Sequence, residues 1–315
     1  MKTIRVSPLN LTVSVTLLSL AGTSLSARAG FALNDCTNYA VLYEGSGSHS
    51  LHCDSGSITG DIGVGAPTHS TTASVKLSSS ESKTIINGNL YFDSEVNVSG
   101  REGSDYSQNS GKISADKTGV SEALDYLNKL SASLGGEAGT AVDINTEETG
   151  KQTIDISSGK LDNDGNRIFN VRDFSFGKNT TLTLNGNEAG DSVVFNFSDD
   201  ATFGGSISLA KGLKADQVIF NFKSGSDLGE GNTLKIDANG GTEYGIFLNP
   251  NGQITITNSV VEGRVFGGGS QDEEIESGSS VIVPNVVPAP VPEPEISAMI
   301  AMGIAGLWAA RWRRK

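Results

Sequence analysis

Val193-Val-Phe-Asn-Phe197 and Val218-Ile-Phe-Asn-Phe222 nearly repeat at an offset of 25 residues, with Asn196 and Asn221 in the same place in each. An offset of that size, holding strand, turn, strand and turn, fits successive coils of a β-solenoid, where each coil covers the apolar face of the one below. Equivalent residues then stack. Phe195 on Phe220 is expected to form an interior aromatic ladder, and Asn196 on Asn221 an amide ladder. A β-sandwich with look-alike strands is the competing fold. Sparse aromatics (6%) and a body interrupted only by Pro67 and Pro250 favour the solenoid, whereas the 39 glycines fit either.

Working outward, short strand-like pieces recur from Gln152 to Val283, among them Thr181-Leu-Thr-Leu184, Ser206-Ile-Ser-Leu209, Thr233-Leu-Lys-Ile236, Gly245-Ile-Phe-Leu248 and Gly263-Arg-Val-Phe266. Similar pieces, usually followed by Gly or Asn, occupy Phe31 to Gly100. Arg101 to Lys112 is polar without a period and reads as an exposed loop. Between them Val120, Ala123, Leu124, Leu127, Leu130 and Leu134 recur at three and four residues, which puts them on one helical face. Ser114 or Thr118 can cap that helix and Gly135-Gly136 can stop it. Its other face is Asp, Glu, Lys and Ser, so it should pack along a sheet rather than on a membrane.

The ends read as addresses. Lys2 and Arg5, the apolar Leu11 to Ala21, and Ala27-Arg28-Ala29 have the order of a secretory signal peptide cut after Ala29. An uncleaved anchor is the alternative, but the apolar part is short for a bilayer that needs about 20 residues. At the other end Pro284, Pro288, Pro290, Pro292 and Pro294 space out an extended segment. Val291-Pro292-Glu293-Pro294, the apolar Ile296 to Ala310, and the basic Arg311, Arg313, Arg314 and Lys315 then follow in order. Basic ends stay on the cytoplasmic side. These residues resemble the PEP-CTERM sorting signal of Gram-negative bacteria, which implies transient anchoring in the inner membrane and an exosortase as partner. The body, through Tyr39-Ala-Val-Leu-Tyr43, Gly60-Asp-Ile-Gly-Val-Gly65, the helix, the two Phe-Asn-Phe repeats and Val261-Glu-Gly-Arg-Val-Phe-Gly-Gly268, looks like the choice-of-anchor A type of surface domain. It is more distantly similar to ice-binding proteins with a helix-flanked β-helix. The resemblance implies a right-handed β-helix with a helix along one side, and no catalytic residues.

The expected fold is therefore mainly β: a right-handed parallel β-helix over 30–283 with one long lateral α-helix at about 115–134. A signal helix at 1–29, a Pro-rich linker at 284–290 and a short transmembrane sorting helix within 291–315 complete it. Without leader and tail, 16 cations face 34 anions, a net charge of −18. Such a surface repels nucleic acid. An even cysteine count in an exported chain favours a Cys36–Cys53 disulfide. A metal site with His49, His52 and Cys53 is the alternative, although no second cluster completes it.

Catalytic signatures are lacking: there is no Gly-x-Ser-x-Gly elbow. Asp162-Asn163-Asp164-Gly165-Asn166 looks like half a calcium loop, but position 173 holds Asp where an EF-hand needs Glu, and a tight Asx turn explains it as well. Arg172 and Asp173 should point to opposite faces, while Glu262 and Arg264 should form a same-face pair. Asp272-Glu273-Glu274 with Glu276 reads as the solvated rim of the last coil. Thr181/Thr183 and Thr255/Thr257 suit an ice-binding Thr ladder locally, but other coils break the pattern. The expected role is a structural or adhesive component of the cell surface or extracellular matrix, associated with exopolysaccharide or biofilm. No metal or cofactor is expected beyond a possible calcium. An ice-binding-like β-helix is the alternative, and a polysaccharide-modifying enzyme the second.

Overall fold

Strand alternation divides the body into walls. Thr181–Asn185 and Ser74–Ser78 bury every second residue, as strands with one wet face do. Ser192–Phe197 and Val218–Phe222 are buried throughout, the mark of a wall covered on both sides. The computed structural model describes residues 31 and 33–284, apart from 46–48, 67–73, 117, 148–149, 188–189, 224–230 and 270–271. The leader with Ala27 and Ala29, the linker from 285 to 290, and the tail with Val291 to Pro294 and Arg311 to Lys315 lie outside the described residues, as does His69.

Ten strands form the wall beneath the helix, in the order Ile113–Ala115, Leu90–Phe92, Asp61–Gly65, Tyr39–Gly45, Val260–Gly269, Thr242–Asn249, Val218–Phe222, Ser192–Phe197, Asn166–Ser175, Thr140–Asn145. A second wall has seven: Ala201–Phe203, Leu234–Ile236, Ile254–Ile256, Glu273–Ile275, Ser50–Asp54, Ser74–Ser78, Val98–Ser99. The third is in two pieces. Lys151–Asp155, Thr181–Asn185 and Ser206–Ala210 make one, and Ser280–Ile282, Ser57–Thr59, Thr84–Asn87 and Tyr106–Ser110 continue from the starts of the long strands of the first wall. Pairing between described strands is parallel except in the hairpin of Lys160–Leu161 with Asn166–Ser175. This is the expected parallel β-helix with one lateral helix.

Both expected ladders form, and both are longer than the repeat alone predicts. Inside, Phe169, Phe195, Phe220 and Phe247 stack with centroids 5.1, 5.5 and 5.0 Å apart and planes within 19°. In-register parallel strands about 4.8 Å apart hold rings near their stacking optimum. On the outer side of the same wall, Asn221 Nδ2 donates to Asn196 Oδ1 (2.8 Å) and Asn196 Nδ2 to Asn170 Oδ1 (3.3 Å). The amides also hold the helix Gly119–Gly136: Asn196 donates to the Leu134 carbonyl, Asn221 to the Ser131 carbonyl, and Ser131 Oγ to Asn221 Oδ1 at 2.6 Å. Val120, Ala123, Leu124, Leu127 and Leu134 pack on Leu42, Val194, Ile219, Ile246, Leu248 and Phe266.

The helix is shifted from the expected 115–134, and of the two expected caps Thr118 holds the N-cap position but does not supply the capping bond. Asp116 Oδ1 accepts the Gly119 N–H at 3.1 Å, while Thr118 makes no side-chain cap bond. The polar stretch Arg101 to Lys112 is not simply a loop, since Tyr106–Ser110 pairs in parallel with Thr84–Asn87. As a terminal coil it needs an apolar residue only where Tyr106 turns inward, at 7% exposure.

The coils do not stack in chain order. From Tyr39 the chain climbs to one end of the stack at Ile113–Ala115, and the helix runs back along the first wall. Coiling restarts at the opposite end at Thr140–Asn145 and returns to the middle. There Val260–Gly269 pairs with Tyr39–Gly45, Glu273–Ile275 with Ser50–Asp54, and Ser280–Ile282 with Ser57–Thr59. The acidic Asp272 to Glu276 is thus no rim: it lies in this mid-stack joint, with Glu273 at 0% exposure. The joint is tight at Gly268, whose φ is +119° and where a Cβ would fall 2.1 Å from the Glu44 carbonyl oxygen.

Phe220, fully buried between Phe195 and Phe247 and also touching Phe203, is the ladder's most enclosed ring. Phe220→Ala should lower the unfolding free energy by about 3–5 kcal/mol in urea denaturation. Glu44 accepts from Asn128 Nδ2 of the helix at 2.8 Å, and burial, outweighing that bond, pushes its carboxyl from 4.5 up to about 7. The folded chain then holds this proton more tightly than the unfolded one, so stability falls as pH rises from 4.5 to about 7 and levels off above. Glu44→Gln should remove this slope and be about 3 kcal/mol more stable relative to wild type at pH 8 than at pH 4.5. Equal slopes in paired denaturation curves would refute the assignment.

Candidate binding faces

With the first wall under the helix, the seven-strand wall offers the most regular open surface. Its strands are mostly three to five residues long, so each sends one central side chain outward. In register these are Thr202, Lys235, Thr255, Glu274, His52, Lys76 and Ser99. At the strand spacing the row is about 29 Å long. Beside it, Thr257 Oγ1 donates to Glu276 Oε2 at 2.6 Å, His52 Nε2 lies 3.3 Å from Ser78 Oγ, and Lys178 pairs with Asp237 at 3.1 Å. Partial burial works against ionisation of Asp54, but hydrogen bonds from Ser80, Ser55 and Ser78 hold its carboxyl below the usual range. The wall thus presents alternating donors, acceptors and both signs of charge on a fixed grid.

The two Thr pairs do not share a surface. Thr255 and Thr257 lie on the seven-strand wall beside Glu274 and Glu276. Thr181 and Thr183 lie on the third, where the outward rows read Lys151–Thr181–Ser206 and Thr153–Thr183–Ser208. Neither wall carries a continuous Thr array.

Glu262 and Arg264 are not a same-face pair, because Val260–Gly269 passes from one wall to the next between them. Its first residues pair with Ser280–Ile282 on the third wall, and Val265 to Gly269 pair with Val41 to Gly45 beneath the helix. Arg264, 1% exposed, donates through Nη2 and Nε to the Thr37 carbonyl at 2.7 and 3.3 Å. Arg172 forks onto Asp143 of the neighbouring strand at 2.8 and 3.1 Å, and because the register shifts at this point and skips Arg172, Arg172 and Asp173 are both exposed rather than on opposite faces. Asp162 is committed to a turn: its carboxylate accepts the Asn166 N–H and side-chain amide at 2.6 and 2.8 Å. Among the described residues no three His, Cys, Asp or Glu side chains are grouped to hold a metal.

The expected disulfide is corrected. Cys36 and Cys53 are both free and buried. Cys36 packs between helix and wall, its thiol donating to the Ala123 carbonyl at 3.6 Å, whereas Cys53 points into the solenoid interior. Strand alternation also turns Cys53 in and His52 out, so they cannot share a metal. Two buried acids were not anticipated. Glu243 and Glu273 are fully buried without a side-chain partner, and burial pushes both carboxyls well above the usual range. The signal for Glu273 was its phase, since it sits two residues before the inward Ile275.

The model of a family described as an ice-binding-like adhesive domain matches residues 21–276. Solved structures of similar shape include an ice-binding protein of the Antarctic ascomycete Antarctomyces psychrotrophicus (14% identity, 82% of this chain and 100% of that one, TM-score 0.48). Others are an ice-binding protein from an Arctic yeast (17%, 83% and 96%, 0.48) and ice-binding protein 1 of Shewanella frigidimarina (14%, 82% and 99%, 0.49). No curated protein matches the sequence. Among the described residues no helix is long and apolar enough to cross a membrane.

Desolvation holds the Cys36 thiol up at about 12 and raises that of Cys53 as well. Neither should react with a disulfide reagent in the folded protein at pH 8. Unfolding in urea without reductant should release two reactive thiols, and finding none would restore the disulfide.

Proposed function

Because the chain belongs to the ice-binding-like adhesive domain family, we propose that it is an extracellular adhesive domain that lays its seven-strand wall on a repetitive polar surface. The observation that carries this reading is the in-register outward row from Thr202 to Ser99. Its mixture of hydroxyls, carboxylate, imidazole and ammonium suits a polymer whose groups both donate and accept, as sugar hydroxyls do. The surface polysaccharide of a biofilm or extracellular matrix is such a partner.

Ice is the second reading, and the family favours it. The interruption of the row by Lys235, Glu274, His52 and Lys76 speaks against it, since strongly hydrated charges oppose a lattice of ordered water. An enzymatic reading has less support than either, as the family is described as adhesive. The route outward is part of the proposal: a leader cut after Ala29, then capture of Val291-Pro292-Glu293-Pro294 by an exosortase while the basic tail holds the inner membrane. The sequence of the two ends supports it, and the acidic body supports partners other than nucleic acid.

Adhesion of purified protein to immobilised polysaccharide, with and without calcium, should fall about fivefold in Lys76→Glu and Glu274→Lys, roughly the loss of one net polar contact each. Both side chains are on the outer face of the wall, so circular dichroism should be unchanged. Thermal hysteresis in wild type, lost in Thr255→Leu, would instead make ice the surface. If the charge variants adhere like wild type and no hysteresis appears, the seven-strand wall is not the adhesive face.

A further inference from the structure

The third wall has a seam. Ser206–Ala210 is the last strand of its three-stranded piece, and the neighbouring Thr242–Asn249, whose first residues lead into the other piece, does not pair with it as a strand. A cleft of about 310 Å³ opens at this seam, lined by Ser208, Leu213, Lys214, Tyr244, Glu262 and Pro284. Tyr244 and Glu262 are direct cross-strand neighbours, and both are half-buried. Burial, with Glu262 beside it, holds the Tyr244 hydroxyl above its ordinary value, so the phenol stays a donor. Leu213 gives the floor an apolar patch at 8% exposure. Among the described residues, neither the Glu262 carboxylate nor the Lys214 ammonium forms an ion pair, although both face this cleft.

We infer that the seam cleft is a subsite for one neutral hexose unit of a polysaccharide, an inference that deepens the adhesive reading and rests on it. A sugar ring is apolar on its C–H faces and polar at its rim. Tyr244 and Leu213 supply the apolar contact. Glu262 accepts from neighbouring hydroxyls, and Lys214 and Ser208 donate to or bridge the remaining oxygens. A ligand with a few well-placed polar groups around an apolar body is what a small cleft of this kind selects. The strongly acidic body disfavours a polyanion, so the neutral class is preferred over uronic acids.

The test titrates the full-length protein with hexamers of β-1,4-linked glucose and of β-1,4-linked mannuronic acid, read by saturation-transfer NMR and calorimetry. Wild type should bind the glucose hexamer more tightly. Tyr244→Ala should weaken it by about tenfold, Tyr244→Phe by no more than about threefold, and Glu262→Gln by about fivefold, the range of one stacking or one charged contact. Lys129→Ala, on the exposed face of the helix and outside both surfaces, should leave hexamer affinity unchanged, which ties the losses to the cleft. Tyr244→Ala binding within twofold of wild type, tighter binding of the mannuronic hexamer, or no binding of either by wild type would each overturn the assignment. In any of those cases adhesion through the seven-strand wall would still stand or fall by its own variants.

Discussion

In-register parallel pairing sets every side chain on its equivalent one coil away, at a spacing the backbone fixes near 4.8 Å. A single coil cannot bury its inner face, so its residues must be compatible with copies of themselves or with close substitutes. Phenylalanine meets this condition by stacking, and asparagine by passing an amide hydrogen bond down the column. The column from Phe169 to Phe247 fills the interior, while the column from Asn170 to Asn221 faces outward, where the helix covers it and must supply the partners that water would otherwise give. The carbonyls of Ser131 and Leu134 and the Ser131 hydroxyl complete its bonds. Aromatic column, amide column and helix are therefore one arrangement.

That arrangement was legible because it repeats. Two copies of Phe-Asn-Phe at one offset identified the coil, the stacking partners and the amide ladder, and the apolar stripe from Val120 to Leu134 identified the helix. The order of the coils was not legible. Nothing local in Tyr39–Gly45 says that its neighbour is Val260–Gly269, more than two hundred residues away, because the pair resemble each other only as apolar, glycine-rich strands. The misreadings cluster at this joint and at corners. Glu273 turns inward by strand phase, Arg264 and Glu262 are parted by a corner, and Cys36 and Cys53 fall on different sides of a wall that the sequence does not announce.

The candidate surfaces were only partly legible for the same reason. Outward positions on three-residue strands carry no periodicity of their own, and Thr202, Lys235, Thr255, Glu274, His52, Lys76 and Ser99 are scattered along the chain. Only the stacking order assembles them into a row. The seam cleft is a further step removed, since it exists where a ladder is interrupted rather than where one forms. Surfaces of this kind are set by topology, and their side chains are free to vary with the surface they meet.

The mid-stack joint has a mechanical consequence. The described chain leaves the body at Pro284, directly after Ser280–Ile282, a strand held between Val260–Gly269 and Ser57–Thr59 near the middle of the stack. A tug on the chain beyond this point cannot unpeel an end coil one bond at a time. It must slide an inner strand against neighbours on both sides, so the flanking bonds share the load and fail together. Resistance to such a pull is a matter of unfolding rate rather than of equilibrium stability. Were the chain held beyond Pro284, the body would be gripped at its waist rather than at an end, with its long walls broadside to the pull.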